Sequence, residues 1–281
     1  HGGLERAVKW LMPALFVLLI VMVLYASSTG DFNGAFRYLF EPDFSKITPE
    51  TILAALGQAF FSLSLGMGSI IVYGAYLSKE SSITQTTFII GGVDTLVAVL
   101  AGLAIFPIVF GYGLEPGSGP GLVFVSLTIA FGQMPGGQFF GTLFFILLTV
   151  AAWTSAISLL EPVTAWLVET LKWPRLKASA IAGLGAWFLG LGSVLSFNEW
   201  QDGIVGSRNF FDWAEFLSTT VMLPLGGLFI ALFAGWRLSS VSARDDLATN
   251  GLVFGVWRFL VRVVAPIGVV AIFLNAIGVI G

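Results

Sequence analysis

Long apolar runs dominate the pattern of this chain. Seven stretches, near 8–26, 52–77, 87–112, 138–171, 178–197, 213–236 and 255–279, each carry the roughly 20 predominantly apolar residues a helix needs to cross a bilayer core. The fourth is longer than a crossing requires and is expected to project beyond the membrane. A shorter apolar piece, 121–131, lies between Pro120 and Pro135 and reads as a helix packed in a loop. The runs are continuous, without the period-two alternation of barrel strands. Backbone in lipid must also satisfy its own polar groups. The pattern therefore predicts an all-α fold, a polytopic membrane helix bundle.

Composition agrees with that pattern. Hydrophobic residues make up 57% of the chain and charged residues 10%, with a mean hydropathy of +0.93. The few charges give the bundle a direction. Ten basic residues (Arg6, Lys9, Lys79, Lys172, Arg175, Lys177, Arg237, Arg244, Arg258 and Arg262) fall on one side of the spans, and three (Arg37, Lys46 and Arg208) on the other. By the positive-inside rule, the N-terminus of this chain is expected in the cytoplasm and the C-terminus outside, in a multi-pass protein of the cell (inner) membrane. The long external loops would then be 27–51, 113–137 and 198–212. A net charge of −3 points to no nucleic-acid partner, and the absence of cysteine removes disulfides and thiolate metal cages.

A few residues depart from the apolar pattern. Asp94 lies inside the third span, where a carboxylate costs at least a few kcal/mol without a partner. It reads either as a protonated or helix-bonded acid or as a cation ligand. In the second span, Ser62, Ser64, Gly66 and Gly68 recur at a spacing of two, which follows no helix face. This fits a helix unwound halfway, with freed carbonyls and hydroxyls lining a cavity, or else a small-residue packing face. Thr154 and Ser155 are adjacent hydroxyls near the middle of the fourth span. They suit a hard cation such as sodium, or back-bonding to the preceding turn. Glu161 precedes Pro162 on that span, Glu169 follows two turns later, and Glu215 opens the sixth span. His1 is the only histidine. With so few carboxylates in the core, neither a serine-type nor a metal-type hydrolytic site is expected.

Five segments taken together carry a resemblance: GQAFFSLSLGMG, VDTLVAVLAGLAIFP, PGLVFVSLTIAFGQMPGG, TSAISLLEP and LPLGGLFIALFAGW. In order and separation they resemble the neurotransmitter:sodium symporters, in particular the bacterial sodium-dependent amino-acid transporters of eleven helices. The likeness runs from about Gly3 to the end, and departs from the family at Thr128, where relatives often carry Pro. It implies an inverted-repeat transporter fold that is truncated. Residues 3–26 would be the last helix of the first repeat, 52–236 a second repeat of five helices plus the loop helix 121–131, and 255–279 an additional C-terminal helix. Helices one to four would precede Gly3 and be missing as partners, consistent with a chain that opens on His1 rather than Met.

The resemblance also implies roles. Ser62 and Asp94 match side-chain ligands of a first sodium site. Ala151 (by its carbonyl), Thr154 and Ser155 match a second. Phe61, Ser62, Ser64, Met67, Ser155 and Leu159 match the amino-acid pocket, with Phe61 capping the substrate and Met67 and Leu159 flanking its side chain. Met adapts to varied apolar shapes, so a large apolar or aromatic amino acid is expected. Gln58 and Glu215 match an outer gate, and Tyr76 and Glu169 an inner one. Gly3 and Pro13 match a motif that lets the cytoplasmic end of helix five unwind. Ala98 falls where chloride-dependent relatives place a chloride-binding Ser, so the Asp94 carboxylate would supply the charge that chloride brings elsewhere. The implied function is sodium-coupled amino-acid symport by alternating access, with sodium as the coupling ion, no cofactor, and membrane lipid as surroundings. A non-transporting split half, or a binding or regulatory membrane protein that assembles with an N-terminal half, is the alternative.

Overall fold

The computed structural model describes residues 2–78, 80–116, 119–203, 206, 208–247 and 251–279, with side chains from Lys9 onward and Ala276 excepted. Lys79, counted above with the basic side, lies outside the described residues. Among the described residues eleven helices follow in order, besides a single 3-10 turn at Phe44–Lys46: α1 (Gly2–Thr29), α2 (Phe32–Phe40), α3 (Pro49–Ser62), α4 (Ser69–Ala75), α5 (Ile83–Gly111), α6 (Gly119–Gln133), α7 (Gly137–Leu171), α8 (Arg175–Leu195), α9 (Phe210–Arg237), α10 (Ser240–Leu247) and α11 (Gly251–Asn275). Six of them, α1, α5, α7, α8, α9 and α11, are long and apolar enough to cross a membrane, and α6 is a shorter apolar helix. The remaining expected span, 52–77, is divided into α3 and α4 by a break at residues 63–68.

Three left-handed residues make up the break. Ser64 (φ 53°), Gly66 (φ 85°) and Gly68 (φ 82°) all occupy the left-handed region. A right-handed helix cannot run through such residues, and glycine enters the region without a Cβ penalty. Proline does not break the other helices. Pro13, Pro107 and Pro162 each sit inside a long helix and remove one N–H from its ladder. α1 is continuous through both Gly3 and Pro13.

The chain forms two compact units, residues 1–44 with 90–157 and residues 45–89 with 158–281. In the first, Leu19, Met22 and Ala26 of α1 pack with Ala104, Ile108 and Val109 of α5, Leu127, Ala130 and Phe131 of α6, and Phe144 of α7. Tyr25 closes one side of this core. Its ring stacks on Phe140 with centroids 3.6 Å apart, and its hydroxyl donates to the Pro135 carbonyl at 2.9 Å. The turn from α1 to α2 lies on the end of α5, where the Asp31 N–H donates to the Pro107 carbonyl at 2.9 Å. A Cβ added at Gly111 would stand 2.8 Å from Gly30 Cα, so that approach needs the small residue.

In the second unit α3 and α9 both pack on α11. The foot of α9 is fixed by Arg262 of α11, whose Nε donates to the Gly235 carbonyl at 2.5 Å while its guanidinium lies 5.4 Å from the Trp236 ring centroid. A cation there is favourable, because the last carbonyls of a helix have no partner within it. The start of α9 is held on α8. The Phe211 N–H donates to Ser196 Oγ at 3.0 Å, and the Phe210 ring closes over Gly192. Leu184, Trp187, Phe188 and Leu189 on α8 are exposed, as side chains facing hydrocarbon would be.

Candidate functional site

The broken span is the most unusual backbone in the molecule. α3 closes on itself, with Leu63 N–H donating to the Ala59 carbonyl (3.2 Å), Ser64 N–H to Phe61 (3.0 Å) and Leu65 N–H to Phe60 (3.0 Å). Beyond that closure, the carbonyls of residues 63–67 accept no backbone hydrogen bond among the described residues. Carbonyls released from a ladder at membrane depth are tolerated only where protein or a polar cavity receives them. The break is also anchored from outside. A Cβ on Gly66 would run into the Leu223 carbonyl oxygen and stand 2.8 Å from the Gly227 nitrogen, both in the LPLGG segment of α9. Gly227 in turn lies against the Phe60 ring. Unwinding and small-residue packing, the two readings of this sequence, thus operate side by side.

Ser62 is the last residue of α3 and Phe61 precedes it; both are exposed. Ser64 and Met67 stand half-buried inside the break. Past the break, one face of α4 is stitched to α7. Ser69 Oγ donates to the Ser158 carbonyl at 3.2 Å, and the Tyr73 hydroxyl donates to Ser158 Oγ at 3.1 Å. The Tyr76 hydroxyl donates to Glu161 Oε1 at 3.3 Å. Residues 69, 73 and 76 recur at the helical spacing that keeps them on one side. Leu159 is exposed on α7.

Glu161 is the charged group that sequence reasoning left without a role. It is buried, and the Arg175 guanidinium donates from Nη2 to both of its oxygens, at 2.6 and 2.7 Å. Arg175, one of the ten basic residues on one side of the spans, opens α8. The available signal was the carboxylate itself, which sits in an apolar helix and needs a partner. Glu169, expected beside Tyr76, is exposed two turns beyond Glu161.

Gln58 and Glu215 come together. Both line a cavity of about 380 Å³ in the second unit, with Phe61, Thr219, Ile272 and Asn275 also on its wall. In the first unit, Asp94 on α5 and Ala151 and Thr154 on α7 are half-buried, and Ser155 is exposed. The Thr154 hydroxyl points back along its helix, 2.9 Å from the Ala151 carbonyl and 3.1 Å from that of Val150. The first sodium set divides, Ser62 belonging to the second unit and Asp94 to the first. Among the described residues no three His, Cys, Asp or Glu side chains form a metal-binding group.

These features define a polytopic helical membrane protein built around an interrupted spanning segment. The chain belongs to the sodium:neurotransmitter symporter family, whose model matches residues 5–280. It is 39% identical over 277 residues to an uncharacterized sodium-dependent transporter of Haemophilus influenzae, a match covering 98% of this chain and 60% of that protein. Against the uncharacterized sodium-dependent transporter YhdH of Bacillus subtilis it is 37% identical over 286 residues, covering 99% and 62%. A solved structure of MhsT in complex with L-phenylalanine superposes with a TM-score of 0.87 at 42% identity, covering 97% of this chain and 63% of that one. The chain thus spans about three fifths of the length of these relatives.

Proposed function

We propose that this chain is the larger part of a sodium-coupled symporter for a large apolar or aromatic amino acid. It would act with four further helices, corresponding to the part of its relatives that it does not match. The observation that carries the reading is the break at 63–68, with its unpartnered carbonyls and the hydroxyls of Ser62 and Ser64. Backbone oxygens and hydroxyls at membrane depth supply the hard donors that sodium and a substrate amine require. Ser62 and Asp94 form our first sodium set, and Ala151, Thr154 and Ser155 the second. Phe61, Ser62, Ser64, Met67, Ser155 and Leu159 serve the substrate. Gln58 and Glu215 act at the outer gate, Tyr76 and Glu169 at the inner one, and Gly3 and Pro13 allow the first helix to loosen. The substrate class follows from Phe61, Met67 and Leu159, and from the family relative solved with L-phenylalanine. The N-terminus faces the cytoplasm.

The test is uptake of labelled phenylalanine, tryptophan and leucine into liposomes under an inward sodium gradient. The 281 residues alone are expected to give none. The same residues co-reconstituted with a separate polypeptide of the four preceding helices are expected to give uptake that collapses when sodium is replaced by choline. Sodium-driven uptake by the 281 residues alone would overturn the need for further helices. Absence of uptake in the joined form across the amino-acid panel would overturn the substrate class.

A further inference from the structure

The end of the second unit at which α9 stops and α11 starts carries four arginines: Arg237, Arg244, Arg258 and Arg262. Arg262 is committed to the Gly235 carbonyl and the Trp236 ring, and Arg237 is exposed. The other two converge on a single ring. The guanidinium of Arg244, from α10, lies 6.0 Å from the centroid of Phe254, and that of Arg258 lies 5.8 Å from it. Two like charges are thus gathered on one aromatic ring. Arg258 Nη1 is buried and has no hydrogen-bond partner. An unpaired buried nitrogen on a charged group is among the more expensive arrangements a protein can hold. Asp245 and Asp246 are exposed on α10, and among the described residues no carboxylate pairs with Arg244 or Arg258.

The start of α11 lies at the same corner. Gly251, Phe254 and Arg258 fall at i, i+3 and i+7 on one face of α11. Gly251 presents no side chain, and a Cβ there would stand 2.9 Å from Arg244 Nη2. An apolar helix beside this corner supplies a wall for an acyl chain.

We propose that Arg244 and Arg258, gathered around Phe254 beside Gly251, form a binding site for the phosphodiester of an anionic phospholipid at the membrane surface. The phosphate seats between the two guanidiniums beside Gly251. A rotation of the Arg258 side chain about its stem brings Nη1 onto a phosphate oxygen and gives it the partner it lacks. The acyl chains run along the apolar flank of α11. Basic pockets between spanning helices recognise headgroups in this way, each cation adding an increment of order 1 kcal/mol. The site is independent of what the chain transports.

The test titrates the full 281-residue protein in detergent with phosphatidylglycerol or phosphatidylcholine and counts retained lipids by native mass spectrometry. Wild type is expected to retain a phosphatidylglycerol molecule that phosphatidylcholine does not replace. R244Q/R258Q is expected to bind it on the order of 10–30-fold more weakly, two cations having been removed. R244K/R258K is expected to keep most of the affinity, and R237Q all of it. Arg244 is exposed, so R244Q alone decides the matter where the double variant does not fold; a several-fold loss is expected. Equal retention of the two lipids, or unchanged binding by R244Q and the double glutamine variant, would overturn the site. Displacement of the lipid by millimolar inorganic phosphate would overturn the headgroup assignment in favour of a free anion.

Discussion

Glu161 and Arg175 show how much one buried charge constrains its surroundings. The carboxylate is 7% exposed and the guanidinium 44% exposed, so the two ends of the pair are not equivalent. Arg175→Gln leaves a buried carboxylate with the Tyr76 hydroxyl and little else, a change expected to destabilise by about 2–4 kcal/mol. Glu161→Gln leaves Arg175 with access to water and is expected to cost about 1 kcal/mol. The double variant is expected to recover part of what Arg175→Gln alone loses. Thermal unfolding of the purified protein in detergent measures all three. Equal losses for the two single variants would show that burial does not set the asymmetry. At this scale the sequence was partly legible. Asp94, Thr154 and Glu161 stand out because each is polar in an apolar run. The partner of Glu161 was not visible, because Arg175 sits across a chain reversal at Lys172–Pro174. There Lys172 adopts a left-handed φ of 56°, and no periodicity reports on such a turn.

The elements were legible wherever one physical rule governs them. Apolar length predicted α5, α7, α8, α9 and α11 to within about four residues at each end, because hydrocarbon thickness leaves little choice, while α1 begins six residues before the expected span. The break between α3 and α4 was legible only as one of two alternatives. Gly and Ser serve both unwinding and close packing, and what fixes the outcome is a distant element, the LPLGG segment of α9. Glycines in these helices should therefore differ sharply in tolerance. Gly66→Ala places a Cβ at a φ of 85° and against backbone atoms of α9 that cannot step aside, with an expected loss of about 2–4 kcal/mol from the two causes together. Gly185→Ala meets nothing within 4 Å on α8 and is expected to be neutral or to stabilise by up to about 1 kcal/mol, since alanine is the better helix former. Melting temperatures of the two variants against the parent test this. A Gly66→Ala protein as stable as the parent would mean the turn can be rebuilt without α9.

Taken as a whole, the molecule has two compact units whose boundary falls within its own long helices α5 and α7. Apolar periodicity gave no sign of that division, because it reads segments one at a time while unit membership depends on which distant segments meet. The dependence of residue 66 on residues 223–227 has a consequence for how the protein is made. A translocon weighs a segment by its apolar length, and 52–77 is long enough to enter the bilayer as one straight helix. Its anchor is synthesised some 150 residues later, a delay on the order of 10–30 s at about 5–20 residues per second. The segment is therefore expected to cross the membrane continuous and to unwind only when α9 arrives. A nascent chain halted near residue 200 should protect the amides of 66–68 from hydrogen exchange, and one extended past residue 240 should expose them. The break would then be a late event in membrane assembly, imposed on a finished helix by a neighbour that had not yet been translated when the helix went in.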